Sequence, residues 1–230
     1  MARARLKYRP EDGGYERGDE TRQLIITTAI SIFGDKGFDG ASTRMLVEPA
    51  GASPAAIQYY FGGKAGLYRA CAEYLADHAW HKIDEDARPL DDISPEAGRD
   101  ILIDALADFF FAQEKTLHAD PQLSQWSLFL LREQTTSSGD VFDIIFERLN
   151  RRVLTKFARV VGAIIGKAQD DPETRLRTAM IISHMTGMRS HGQVTLRFMG
   201  WPDFAGPRLA MWQSVMRAHL RAMLLTDIGE

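Results

Sequence analysis

Two short helical segments joined by a glycine turn, in "ASTRMLVEPAGASPAAIQYYF" (residues 41–61), constrain this chain more than any other feature. Ser42 is suited to cap a short helix ending near Ala50, Gly51 to make the turn, and Ser53 with Pro54 to open the next helix. A short hydroxyl side chain accepts an otherwise unpaired helix N–H, and proline fits the first helical position. Two helices joined so tightly form a helix-turn-helix. The second of them is not an ordinary core helix. Gln58, Tyr59 and Tyr60 are consecutive, and successive helix residues point in different directions, so some of the three must face outward.

The rest of the chain reads as helix. Ile25, Ala29, Ile32 and Phe33 recur at helical spacing between Thr21 and Lys36, with Asp19 as N-cap and Gly37 as stop. A long helix is predicted from Gly63 into the mid-eighties, where "DEDARPLDDISPEAG" breaks the pattern, and helix restarts at Ser94-Pro95. Apolar periodic stretches follow at Ile101–Leu117, Leu123–Gln134, Val141–Lys167, Glu173–Met199 and Phe204–Leu225. No strand-like alternation and no internal repeat interrupts them, so the fold class is all-α: an N-terminal three-helix helix-turn-helix domain plus a larger helical domain. We place the boundaries at residues 1–18 for a flexible arm, 19–66 for the helix-turn-helix domain and 67–230 for the helical body. The arm alternates Arg3, Arg5, Lys7 and Arg9. Such a segment can lie in a minor groove, but a solvated tail is the reading we favour.

Charge and composition narrow the function classes. The net charge of -3 hides an asymmetry: residues 1–69 hold 10 Lys+Arg against 8 Asp+Glu, and the remainder 18 against 23. The N-terminal end therefore tolerates a polyanion better than the acidic body does. No apolar run is long enough to span a bilayer, and the N-terminus lacks an apolar signal region, which leads us to expect a cytoplasmic protein with no membrane partner. Cys71 is the single cysteine and cannot form an internal disulfide. No nucleophile elbow, glycine-rich phosphate loop or zinc-protease helix supports an enzyme. His78 and His81 lie three apart and His184 and His191 two helical turns apart, yet neither pair has further ligands nearby in sequence. We expect no metal and no cofactor.

The stretch "TRQLIITTAISIFGDKGFDGASTRMLVEPAGASPAAIQYYFGGKAGLYRAC" resembles the TetR/AcrR family of bacterial transcriptional regulators. Its first-helix pattern, "G-F-x-x-x-S" entry, "E-x-A-G", "YYF" and "F-x-x-K" all fall in that family's register. "QYYFGGKAGLY", the upstream "GYERGDETR" and the later "FDIIFERL" look like the CerR (YbiH-like) branch. The resemblance implies a helix-turn-helix whose third helix enters the major groove by its N-terminal end. Ser53, Ala55 and Ala56 are small enough for close approach there, and Gln58 is the polar reader of a base edge. Tyr59 and Tyr60 are expected to donate hydroxyls to phosphates, and Lys64 to add a charge. Ser42, Thr43 and Arg44 are expected on a phosphate at the second helix, while Phe61 anchors the module as a core plug. Ser42 and Ser53 are caps whatever else they touch, and Ala55 and Ala56 have a plain packing reading beside the functional one.

Three residues depart from the family pattern. Val47 replaces a small alanine, Pro49 a polar residue, and Ala52 a larger apolar one, so the turn is expected to be less well packed. A proline truly interior to a helix costs roughly 3 kcal/mol. The resemblance also implies a homodimer on a palindromic double-stranded operator, paired through the last two helices. Their apolar rows include Met180, Ile181, Met185 and Met188 on one and Leu209, Trp212, Val215 and Met216 on the other. It further implies a mostly apolar or aromatic small-molecule effector held among Phe109, Phe110, Trp126, Phe129, Phe142, Phe146, His184 and Met188. Plain core packing is the alternative for any one of these. The function expected is a ligand-responsive repressor. Its rivals are a TetR-fold interaction or ligand-binding module with weakened DNA binding, which Val47 and Pro49 favour, and an unrecognised helical enzyme.

Overall fold

The computed structural model describes residues 13–94, 96–119, 121–136 and 139–227, and the basic stretch from Arg3 to Arg9 lies outside them. The elements are α1 (Gly13–Gly40), α2 (Thr43–Val47), α3 (Pro54–Phe61), α4 (Lys64–Asp86), α5 (Arg88–Asp91), α6 (Arg99–Ala119), α7 (Pro121–Thr136), α8 (Asp140–Ile145), α9 (Arg151–Ile165), α10 (Pro172–Thr186), α11 (Met188–Met199) and α12 (Pro207–Leu225). There is no strand among the described residues. The chain divides into two compact units, one of residues up to Ala76 with Gln122–Ile145, the other of Asp77–Pro121 with Phe146 onward.

In the first unit α1 starts at Gly13 rather than Thr21, so Asp19 lies inside the helix instead of capping it. Glu16, Arg17 and Glu20 have high helix propensity, so the helix runs upstream of the apolar stretch. Ile25, Ile26, Ala29, Ile30 and Phe33 are buried along one side. Helical geometry breaks at Gly37, whose φ of 73° only glycine adopts readily. Ser42 caps α2 by accepting the Met45 N–H at 3.3 Å. The α-helix stops at Val47, and Glu48–Ala50 form a single 3₁₀ turn with Pro49 near its start. A proline there displaces no interior helix bond, so Pro49 does not bear the cost of a truly interior proline. Gly51 closes the turn at φ 62°, and the Ala52 N–H donates to Val47 O at 3.1 Å.

Ile57 is the buried side chain that seats α3. The sequence reading gave that role to Phe61, which is only half-buried because it ends the helix, with the Arg22 guanidinium 5.2 Å above its ring. Two helices from much later in the chain complete this unit. Arg132 of α7 donates to the carbonyls of Gly34 and Asp35 at 3.3 and 3.1 Å, next to the break at Gly37. The buried Tyr68 hydroxyl donates to Glu133. Tyr68 also joins Phe33 (ring centroids 4.6 Å apart), Phe38 (5.1 Å) and Phe129 (5.0 Å) in one aromatic cluster.

The second unit buries Leu102, Ile103 and Leu106 of α6 against Val161 and Ile164 of α9, Ile181 and Met185 of α10, and Leu220 of α12. Ser94 does not cap α6. Its hydroxyl and carbonyl accept the N–H groups of Glu96 and Ala97 in a turn, and helix begins only at Arg99. The long helix expected over Val141–Lys167 is interrupted by a π-helical turn at Phe146–Asn150. The one expected over Glu173–Met199 divides into α10 and α11 at Gly187, where the backbone stays helical (φ -58°, ψ -26°). Of the rows expected to face outward on the last helices, Ile181, Met185 and Met216 are instead buried inside the unit. Among the apolar side chains left outside are Leu176 and Met180 on α10 and Met211 and Val215 on α12, each 47% to 62% exposed. The Met188 side chain lies outside the described residues.

Candidate nucleic-acid interface

The outer side of α2 and α3 carries the residues that the sequence singled out. Thr43 and Arg44 are exposed at the start of α2, and Ser53, Ala55 and Gln58 on α3. Tyr59 is 82% exposed, far beyond what a packing tyrosine shows. Ile57 fixes the helix from beneath, so these side chains are presented from a rigid support rather than from a loop. Ser53 occupies the N-cap position in extended geometry, yet its hydroxyl makes no cap bond. That hydroxyl is therefore unused by the helix, unlike that of Ser42.

Two expected phosphate groups have neighbours that the sequence did not reveal. Tyr60 is half-buried, its ring edge-on to Tyr59 at 4.8 Å between centroids, and its hydroxyl sits 3.7 Å from where a Cβ on Gly18 would stand. The Lys64 ammonium lies over the ring of Phe38, 4.5 Å from its centroid. A cation held over an aromatic face loses much of its rotamer freedom while keeping its charge. Neither Arg22 nor Phe38 was picked out as a partner, although Phe38 belongs to the quoted "G-F" entry.

The turn after α3 is sterically fixed. Gly62 and Gly63 take φ of 69° and 121°, and α4 then passes so near the end of α3 that a Cβ on Gly66 would collide with the Phe61 carbonyl oxygen. Between α2 and α3, a depression of about 500 Å³ is lined by Arg44, Val47, Glu48, Ala52 and Pro54. Ala52, where the family pattern has a larger apolar residue, forms one of its walls.

The aromatic residues assigned to an effector do not all fall together. Phe109 and Phe110 cluster with Phe157 in the second unit, at centroid distances of 4.9 and 5.5 Å. Trp126 packs on Tyr74 and Phe129 on Tyr68 in the first unit, which also holds the half-buried Phe142. Phe146 begins the π-helical turn, with the Arg151 guanidinium 5.4 Å above its ring. His184 lies in the second unit with His219 as its ring neighbour.

Residues 25–71, which contain this interface, match the family described as bacterial regulatory proteins, tetR family. Residues 102–226 match the C-terminal domain of the HTH-type transcriptional dual regulator CecR. The chain is a TetR-family regulator with a CecR-type C-terminal domain. This regulator is 25% identical to the HTH-type transcriptional dual regulator CecR of Shigella flexneri over 210 residues, covering 90% of the chain and 93% of that protein. Its fold matches a TetR-family regulator from Mesorhizobium loti (TM-score 0.60, 17% identity, 90% and 96% of the two chains covered). It also matches FadR from Bacillus subtilis, solved in complex with stearoyl-CoA (TM-score 0.57, 14% identity, 88% and 97% covered). These relatives are regulators rather than enzymes, and no described helix of this one is long and apolar enough to cross a membrane.

Proposed function

We propose that the regulator represses transcription as a two-fold dimer on a palindromic operator, and that a mostly apolar small molecule releases it. The observation that carries the DNA part is the outward face of α3, where Ser53, Ala55, Gln58 and Tyr59 are exposed above the single buried anchor Ile57. Small residues at the N-terminal end allow the helix into a major groove, Gln58 has both a donor and an acceptor for a base edge, and the flanking hydroxyls and cations take phosphates. The reading helices lie within residues 19–66, and the effector and dimer body is drawn from residues 67–230. The outward pairs Leu176 and Met180, and Met211 and Val215, are the dimer face, since two helices from each chain bury such rows as a four-helix interface.

The effector reading rests on the aromatic side chains of the helical body and on the π-helical turn headed by Phe146, a feature that recurs at functional sites. FadR, a structural neighbour, was solved with stearoyl-CoA, whose eighteen-carbon acyl chain is apolar. Release requires the ligand to favour one arrangement of the recognition helices over another. A coupling of about 1–3 kcal/mol lowers operator affinity about 5- to 150-fold, and operator must then weaken ligand binding by the same factor. Genome-wide footprinting identifies the operator, and calorimetry on a bound metabolite with and without operator duplex tests release. Equal ligand affinities in the two titrations would rule release out, and failure to find any footprinted site would leave a binding module without a DNA target.

A further inference from the structure

His184 of α10 and His219 of α12 are 35 residues apart in sequence, yet they meet in the second unit with His184 Nε2 and His219 Nδ1 3.3 Å apart. Their rings are tilted by 40° with centroids 5.3 Å apart, so the two nitrogens face one another across a gap rather than the rings stacking. Two nitrogens bound to one tetrahedral zinc at about 2.0–2.1 Å are separated by about 3.3–3.4 Å. A right-angled pair of ligands at that bond length would be only about 2.9 Å apart.

We propose that His184 Nε2 and His219 Nδ1 form a two-imidazole chelate for a divalent transition-metal ion of the zinc class. Imidazole is a preferred ligand of such ions, whereas magnesium and calcium take oxygen. The backbones that carry the two rings are tied together: Arg177 of α10 donates to the carbonyls of Met223 and of Thr226, the latter at 2.8 Å, and so links α10 to the end of α12. The ion therefore meets two facing nitrogens that already stand 3.3 Å apart. Each ring would bind the ion through its facing nitrogen as a neutral imidazole, with its proton on the far nitrogen. Among the described residues no three His, Cys, Asp or Glu side chains gather as a metal group. Water fills the ion's remaining positions, reached past the exposed His219.

The test uses the full chain, stripped with chelator and titrated calorimetrically with zinc chloride, with magnesium chloride in parallel. Zinc binds and magnesium does not. His219→Ala, at an exposed position that does not threaten folding, weakens zinc about tenfold or more, and His184→Asn does the same with unchanged circular dichroism. His81→Ala leaves the affinity unaltered. Zinc affinity in His219→Ala equal to that of the parent would place the ion on other histidines and overturn the assignment, as would absence of zinc binding altogether. Neither titration requires operator or pairing of chains, so the result is independent of the repressor reading.

Discussion

Gln58 and Lys64 are separated by one turn and the start of a helix, but their substitutions should behave differently. Gln58→Ala should cost about 1–3 kcal/mol on the cognate site and little on unrelated duplexes, since on the proposed reading it removes a base contact. Lys64→Ala should weaken all sequences alike and lower the slope of log affinity against log salt by about one unit. Fluorescence anisotropy on cognate and scrambled duplexes at several salt concentrations separates the two. Gly66 is a different kind of residue, fixed by space rather than by contact. Gly66→Ala should destabilise by more than the about 1–3 kcal/mol of ordinary overpacking, because its Cβ meets the backbone carbonyl of Phe61 and not a side chain that can swing away. A thermal melt reads this directly. Cys71 is fully buried, and burial pushes its thiol pKa far up. A thiol reagent should therefore label it only on unfolding.

At the scale of elements, α7 is a brace for the reading end of the chain. Tyr68→Phe removes the donor to the buried Glu133 carboxylate and should lower stability by about 1–3 kcal/mol, measured by denaturant unfolding, while leaving the exposed side chains of α3 in place. Much of this architecture was legible in sequence. Cap, turn and proline signals located α2 and α3 because they are local, as at Ser42 and Gly51. The end of α1 was equally local, since Gly37 acts through its own φ. What escaped were features made by residues far apart. Arg132 reaches Gly34 across most of a hundred positions, Lys64 reaches Phe38, and Arg22 covers Phe61; none leaves a periodic trace. The role given to Phe61 was wrong for a related reason: helical phase puts Ile57 beneath α3, and apolar size alone does not tell a buried anchor from a half-covered end residue.

Across the whole molecule, the dimer reading makes a prediction about the second unit. Met180→Glu and Val215→Glu place charges in a face that pairing would dry, and each should raise the dimer dissociation constant at least tenfold, about 1.4 kcal/mol. Sedimentation equilibrium checks this; a parent chain that is monomeric at micromolar concentration removes the interface. The rows read from sequence included Met180 and Val215, which are exposed, together with Ile181, Met185 and Met216, which the chain uses for its own core. Apolar periodicity marks a helix that is covered on two sides, and says little about which side its own chain covers. The aromatic residues were harder to place, because Trp126 and Phe129 sit beyond residue 100 and yet belong with the first unit. That assignment bears on how the reader could be moved between proteins. A graft that took only the segment up to Ala76 would carry the recognition helix but leave behind the arginine that holds the end of α1, the acid that receives Tyr68, and the ring of Phe129. The transplantable module is discontinuous. A chimera that exchanges DNA specificity has to import residues 122–145 together with the N-terminal segment, or supply in the host helix an arginine and a glutamate at the corresponding places.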